Sequence, residues 1–86
     1  MEALSGRIVR SCAGRDKGSF LVVVRADNSF VYVADGKERK LASPKKKSLK
    51  HVKLTNTVID TESLTDKKLR SVILKYISAS DIKTEN

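Results

Sequence analysis

Short runs of apolar and β-branched residues, separated by turn-forming residues, make up most of the first 54 positions of the chain. Some runs alternate between apolar and polar residues and others are apolar on both faces, and both patterns are typical of β-strands. The run that contains Val22, Val23 and Val24 is apolar on both faces, which predicts a central strand covered from both sides. The five predicted strands span residues 7–12, 19–25, 29–34, 37–42 and 49–54.

The links between the predicted strands are short and contain residues that tolerate a left-handed backbone. Asp27-Asn28 predicts one such turn, and Asp35-Gly36 predicts a hairpin turn between the third and fourth strands. Short strands joined by tight turns indicate an all-β barrel or sandwich. In a chain of 86 residues a five-stranded barrel is the economical solution, because closure removes exposed sheet edges.

The period of the pattern changes after Asp60. Apolar residues then recur at a spacing of three and four, which predicts a helix over residues 64–77; they are Leu69, Val72, Ile73, Tyr76 and Ile77. Ser63 and Asp66 fit a capping box at its start. We expect the apolar stripe to pack on the barrel, with a partner-binding stripe as the alternative. The predicted organisation has two parts. Residues 1–60 form the barrel, and residues 61–86 contain the helix and a frayed tail that begins at residue 78.

Length and composition limit the kinds of function that we expect of this chain. A chain of 86 residues forms one small domain without room for a deep catalytic cleft. No apolar run approaches the roughly 20 residues that span a bilayer, and the first six residues do not resemble a signal peptide. The single cysteine, Cys12, cannot form an internal disulfide, so a reducing, cytoplasmic location is the default expectation.

The net charge of +8 is concentrated in one part of the chain. Residues 35–54, the lysine segment, hold eight basic and two acidic residues and therefore six of the eight net charges. A surplus gathered in one segment predicts a surface for polyanions, of which nucleic acid is the commonest. For the run Lys45-Lys46-Lys47 after Pro44, a solvated loop is the alternative. The candidate contacts in this segment are Lys37, Arg39, Lys40, Lys45, Lys46, Lys47, Lys50, His51 and Lys53.

Residues 14–18, the glycine turn, form the second candidate site. A glycine at each end allows positive φ, and Arg15 and Lys17 flank Asp16. One interpretation is a solvated tight turn. The other is a turn that offers backbone N–H groups and two cations to a phosphate chain.

Residues 8–34 resemble a KOW motif, a segment of about 27 residues with a fixed glycine near its eleventh position, which here is Gly18. Residues 13–18 are similar to the basic glycine-flanked turn of these motifs. The continuation, with Asp35-Gly36 and the lysines after it, resembles small bacterial KOW-domain RNA-binding proteins related to a large-subunit ribosomal protein of archaea and eukaryotes. The resemblance covers roughly residues 4–54 and does not include the helix.

The resemblance implies an SH3-like barrel that contacts RNA, expected to be ribosomal RNA. The implied contacts are Gly14, Arg15, Lys17 and Gly18 together with the lysines of the lysine segment. The expected function is therefore non-catalytic RNA binding in association with the ribosome, by a monomer. The alternative is a protein-interaction module that docks on RNA polymerase or a ribosomal protein. Binding to a membrane surface is disfavoured, because no amphipathic basic helix is evident.

Other chemistry has little support in the sequence. Cys12 and His51 lack a third catalytic group and are too few to hold a metal, so we expect neither an enzyme nor a cofactor. Phe30 and Tyr32 share a side of their strand and form either a base-stacking platform or, for Phe30, part of the core. Because the chain has only four aromatic residues, recognition of folded RNA by shape and backbone is favoured.

Overall fold

The computed structural model describes residues 4–84, arranged as five strands followed by one long helix. Residues 1–3 and 85–86, which belong to the predicted barrel region and tail, lie outside the described residues. The elements are β1 (Arg7–Ser11), β2 (Phe20–Ala26), β3 (Phe30–Ala34), β4 (Lys45–Ser48), a 3₁₀ turn (Leu49–His51), β5 (Val52–Val58) and α1 (Asp66–Thr84).

All five strands belong to one antiparallel sheet with the order β4-β3-β2-β1-β5. Strands β4 and β5 are its two edges, although only the 3₁₀ turn separates them in sequence. The sheet is therefore not closed, and closure into the predicted barrel is not confirmed. What the structure shows is a mainly β fold with a C-terminal helix.

Apolar side chains cover both faces of the sheet. On the helix-side face, Ile8 and Val22 are buried with Leu69 and Ile73 of α1. On the opposite face a second cluster forms around Val9, Leu21, Val23, Val31 and Val33. Strand β2 contributes to both clusters and has two strands on either side, so the prediction of a central strand covered from both sides is confirmed.

The predicted helix and the packing of its apolar stripe on the sheet are confirmed, and its boundaries differ. The backbone N–H of Lys68 donates to Oγ1 of Thr65 at 3.2 Å, so Thr65 is the N-cap. The predicted capping by Ser63 is wrong, because Ser63 has a φ of 61° and precedes the helix as part of a turn. The helix extends to Thr84, so residues 78–84 are helical and the prediction of a frayed tail fails there. No helix among residues 4–84 has the combination of length and apolar character needed to cross a bilayer.

The predicted fourth strand, residues 37–42, is wrong. The carboxylate of Asp35 accepts hydrogen bonds from the N–H groups of Lys37 and Arg39 at 2.8 and 2.9 Å, which folds the chain into a compact loop. Side-chain capture of nearby N–H groups is how aspartate competes with a strand ladder. Residues 35–44 are therefore a long connection rather than the two-residue hairpin that Asp35-Gly36 predicts.

The fourth strand is instead the lysine run itself. Strand β4 pairs with β3, with Lys46 opposite Tyr32 and Lys47 opposite Val31. Alternation along a strand sends neighbouring side chains to opposite faces, so the run does not behave as one solvated loop. The predicted fifth strand at residues 49–54 begins later, because residues 49–51 form the 3₁₀ turn and β5 runs over Val52–Val58.

Candidate nucleic-acid interface

The glycine turn is a tightly hydrogen-bonded connection between β1 and β2. Gly14 and Gly18 have φ values of 87° and 91°, so the positive φ expected of both glycines is present. The N–H of Lys17 donates to the carbonyl of Gly14 at 3.2 Å, and the N–H of Gly18 donates to the carbonyl of Ser11 at 2.8 Å. These two N–H groups already have partners inside the protein, so they are not offered to a phosphate. Arg15 and Lys17 are both exposed.

The carboxylate of Asp16 joins the glycine turn to β4. Its Oδ1 accepts hydrogen bonds from Ser11 Oγ at 2.8 Å and from Lys47 Nζ at 3.0 Å. Lys47 Nζ also donates to the carbonyl of Ala13 at 2.9 Å. On the other side, Lys45 Nζ lies 3.8 Å from Oδ2. One acidic side chain therefore fixes the turn against two lysines that lie about thirty residues further along the chain.

The surroundings of Asp16 favour its ionised form. Burial alone would raise the pKa of Asp16, but the hydrogen bonds from Lys47 and Ser11 and the charges of Lys47 and Lys45 outweigh this effect. The pKa of Asp16 is consequently lowered below its ordinary value. Asp16 is thus a permanent anion at neutral pH, and its role in this geometry is to hold the turn in place.

Lys47 does not belong to the exposed surface predicted for it. Its side chain is only 6% exposed, and its ammonium is engaged by Asp16 and Ala13. A buried lysine needs such partners, because an unpaired buried charge is strongly disfavoured. We therefore remove Lys47 from the candidate RNA contacts and assign it to the support of the turn. Lys45 is partly exposed, with 29% of its side chain accessible, and Lys46 is exposed on the helix-side face.

The loop over residues 35–44, called the β3–β4 loop below, is attached to the start of α1. The N–H of Leu41 donates to Asp66 Oδ1 at 2.8 Å, and an Nη of Arg70 donates to the carbonyl of Gly36 at 2.7 Å. Gly36 has a φ of 80°, and a side chain at this position would collide with the carbonyl oxygen of Asp66. The helix therefore fixes the loop that carries Lys37, Arg39 and Lys40, all predicted contacts.

The glycine turn and the β3–β4 loop face each other across a groove of about 310 Å³. Arg15 and Ser19 line it from one side, and Glu38 and Arg39 line it from the other. Arg15 and Arg39 thus border the same groove although 24 positions separate them in sequence. Guanidinium groups suit phosphate oxygens because they donate several hydrogen bonds in a planar fork.

The remaining predicted contacts lie in the 3₁₀ turn and at the start of β5, next to the end of β1. The N–H of Cys12 donates to the carbonyl of His51 at 2.8 Å, which brings the 3₁₀ turn with Lys50 beside the end of β1. Lys50, His51 and Lys53 are exposed. Lys53 lies directly opposite Arg10 in the β1–β5 ladder, so a further cation joins this side.

A separate group of cations and aromatic rings lies on the helix-side face of the sheet, on strands β2, β3 and β4. Lys46 Nζ lies 4.2 Å from the ring centre of Phe30, and Arg25 Cζ lies 4.1 Å from that of Tyr32. Phe30 and Tyr32 are half-buried, whereas Val31 and Val33 fill the core. The interpretation of Phe30 as a core residue is therefore wrong, and both rings lie at the surface.

Sequence reasoning missed four residues that shape these surfaces. They are Arg10, Arg25, Asp16 as the link to β4, and Arg70 as the link to the β3–β4 loop. The alternation in β3 contained one signal, because the residues at 31 and 33 are valines and are better suited to the core. The bulge that turns Arg25 toward Tyr32 leaves no comparable signal in the sequence.

No model of a known protein family matches this chain, and no curated protein matches it.

Proposed function

We propose that this protein binds structured RNA without catalysing a reaction, and that the RNA is ribosomal. Contact is made by the glycine turn and by the exposed cations that surround it. The expected contacts are Arg15, Lys17, Lys37, Arg39, Lys40, Lys45, Lys50, His51 and Lys53. Gly14 and Gly18 set the shape of the turn.

The observation that supports this proposal most directly is the position of Asp16. Its contacts with Lys47 and Lys45 attach the glycine turn to β4, which brings together two sites that the sequence places about thirty residues apart. Two basic loops without contact to each other would indicate only a soluble protein. A turn anchored at the centre of the lysine segment favours recognition of a polyanion with a defined shape.

The chemistry of this surface suits the phosphate backbone better than base edges. Apart from His51, the expected contact side chains end in ammonium or guanidinium groups, which neutralise phosphates and release condensed counterions. Arg15 and Arg39 on either side of the groove give bidentate contacts, whereas the lysines contribute attraction over a longer range. Such a surface recognises the shape of folded RNA more than its sequence.

The finer assignments depend on the resemblance to KOW proteins. They are an SH3-like barrel and an association with the ribosome. The cytoplasmic location is proposed separately, from the single cysteine. The antiparallel order of the five strands and the 3₁₀ turn between the two edge strands support the SH3-like assignment.

The test is the affinity for an RNA hairpin, measured by fluorescence anisotropy at several salt concentrations. If about five of these contact residues each neutralise a phosphate, affinity should fall several hundred-fold between 50 and 200 mM salt. Replacing Arg15 and Lys17 with glutamate should weaken binding and flatten the salt dependence. A matched control, Lys68→Glu with Lys75→Glu, makes the same charge change on an exposed part of α1 and should affect binding much less.

Two results would count against the proposal: an affinity that does not depend on salt, or an equal loss of affinity in both double variants. Crosslinking in cells followed by sequencing of the bound RNA tests the ribosomal assignment. A peak on ribosomal RNA supports that assignment, and an even spread over all transcripts contradicts it.

The alternative is a module that docks on another protein through the barrel or the helix stripe, and the helix stripe is not free for such docking. Leu69 and Ile73 are buried against the sheet, and Tyr76 and Ile77 pack on the same cluster. Replacing them would unfold the protein rather than detach a partner.

A further inference from the structure

The cation–aromatic group on the helix-side face is not explained by packing or by the surface around the glycine turn. It consists of Arg25, Phe30, Tyr32 and Lys46 from three neighbouring strands. Register places Arg25 and Lys46 on either side of Tyr32, and Phe30 lies one pleat further along β3. We call these four residues the aromatic face.

A β-bulge produces this arrangement. The β2–β3 register runs from Val23 opposite Val33 directly to Arg25 opposite Tyr32, which leaves Val24 as the extra residue. Without the bulge, Val24 would occupy the position beside Tyr32. Bulges commonly re-aim a side chain in this way, and here the result is a guanidinium 4.1 Å from the ring centre of Tyr32.

The charge of the aromatic face selects an anionic partner. Arg25 and Lys46 are exposed and contribute two positive charges. The nearest acidic residue in sequence, Asp27, accepts hydrogen bonds from the N–H groups of Ser29 and Phe30 at 3.3 and 3.1 Å and closes the β2–β3 turn. Two half-buried rings beside two exposed cations combine a stacking surface with a phosphate-binding surface.

We infer that the aromatic face binds a single-stranded segment of RNA. The inference rests on the RNA-binding function proposed above and adds a second site with a different ligand. In the free protein the cations lie over the rings. On binding, two bases stack on Phe30 and Tyr32 while Lys46 and Arg25 move from the rings to the adjacent phosphates. Proteins that bind single strands combine aromatic stacking with cations in this way.

An RNA strand fits this face better than an acidic peptide does. A peptide with acidic side chains would satisfy Arg25 and Lys46 but would leave the two ring faces without a flat partner. Nucleobases provide such a partner, and every base has one. The distinction is testable because the chain contains no tryptophan and only two tyrosines, Tyr32 and Tyr76.

The experiment uses the full chain with Tyr76→Phe, which leaves Tyr32 as the single tyrosine fluorophore. The probe is an oligouridylate of about eight nucleotides, within the usual footprint of single-strand binders. We expect it to quench the fluorescence of Tyr32. In anisotropy measurements Phe30→Leu and Tyr32→Leu should each weaken its binding about tenfold, whereas Tyr32→Phe, which keeps the ring, should not.

Circular dichroism of each variant establishes that it is folded. The inference is overturned if oligouridylate leaves Tyr32 fluorescence unchanged, or if the leucine variants bind it as tightly as the parent. It is also overturned if a polyglutamate peptide quenches Tyr32 as strongly as oligouridylate does, since the face would then be an acidic-peptide site.

Failure of this inference and failure of the proposed function give different results. In one case, Arg15→Glu with Lys17→Glu loses hairpin binding, and Phe30→Leu binds oligouridylate as tightly as the parent. This result supports the surface around the glycine turn and overturns the aromatic face. In the other case, the unmodified protein does not bind the hairpin but binds oligouridylate, and this binding requires Phe30. This result supports the aromatic face and overturns the surface around the glycine turn.

Discussion

The ammonium of Lys47 lies 3.0 Å from the carboxylate of Asp16, although 31 residues separate them in the chain. Both side chains are largely inaccessible, at 6% and 16% exposure. The pair therefore links the glycine turn to β4 where solvent screens little of their interaction. It gives a structural role to two residues that would otherwise be counted as surface charges.

Breaking this pair should strongly destabilise the protein. Asp16→Asn leaves Lys47 buried without a counter-charge, and we expect a loss of about 3 kcal/mol in the free energy of unfolding. The double change Asp16→Asn with Lys47→Met removes both charges and should be less destabilising than Asp16→Asn alone. Urea unfolding of the parent, of Asp16→Asn, of Lys47→Met and of the double variant measures this. Additive effects of the two changes would show that the pair is not coupled.

Stability should depend on pH through the same carboxylate. Because the pKa of Asp16 is lower in the folded protein than in the unfolded chain, where it is about 3.9, its stabilising contribution is complete above about pH 5. The contribution is lost as the pH falls through the folded pKa. In unfolding experiments at pH 7 and pH 3, the stability difference between the parent and Asp16→Asn should shrink at the lower pH. A constant difference would contradict the lowered pKa.

Gly36 and Gly18 provide a matched comparison. Both have positive φ, so alanine at either site costs about 1–2 kcal/mol for the left-handed backbone. At Gly36 the added side chain also meets the carbonyl of Asp66, whereas at Gly18 it meets open space. Thermal unfolding should therefore show a larger loss for Gly36→Ala than for Gly18→Ala. Equal losses would mean that the contact between the loop and α1 is not tight.

Gly36→Ala should also weaken RNA binding through the β3–β4 loop. Displacing this loop from α1 moves Lys37, Arg39 and Lys40 relative to the glycine turn. We expect a severalfold loss in hairpin affinity for the fraction of the variant that is folded. Asp66→Ala, which removes the acceptor of the Leu41 N–H without adding a side chain at 36, should have a similar effect. Unchanged affinity in both variants would show that the position of the loop is irrelevant to binding.

The helix provides a contrast between buried and exposed leucines. Leu69 is fully buried, and Leu69→Ala should cost about 3 kcal/mol because it leaves a cavity between α1 and the sheet. Leu74 is 64% exposed, and Leu74→Ala should change stability by less than about 0.5 kcal/mol. Chemical denaturation of the two variants checks the comparison. A large effect of Leu74→Ala would indicate that α1 packs through a different stripe.

The parts of this fold that depend on local pattern were predictable. Strand β2 is apolar on both faces because it lies at the centre of the sheet, and the spacing of Leu69, Ile73 and Tyr76 follows from helix geometry. In both cases the residues that determine the element are neighbours in sequence. This is why the strand and the packing face of the helix could be identified before their surroundings were known.

Strand β4 could not be predicted because its pairing depends on a distant residue. Three consecutive lysines resemble a solvated loop unless something accepts a buried ammonium, and that acceptor is Asp16. The same limit applies to the aromatic face, where a bulge in β2 determines which side chain lies beside Tyr32. The candidate cations could be listed from composition, but their division between the surface and the interior could not.

The attachment of the β3–β4 loop to α1 also has a consequence for the order of events during synthesis. Residues 35–44 leave the ribosome before α1 does, and only α1 provides Asp66 and Arg70. Until the helix has formed and docked, Leu41 and Gly36 cannot make those contacts, so the loop has no fixed position. An unfinished chain therefore carries every charge of the lysine segment but not yet the arrangement that the proposed function needs. Under the proposed function, RNA recognition would be acquired only after α1 has been synthesised and has docked.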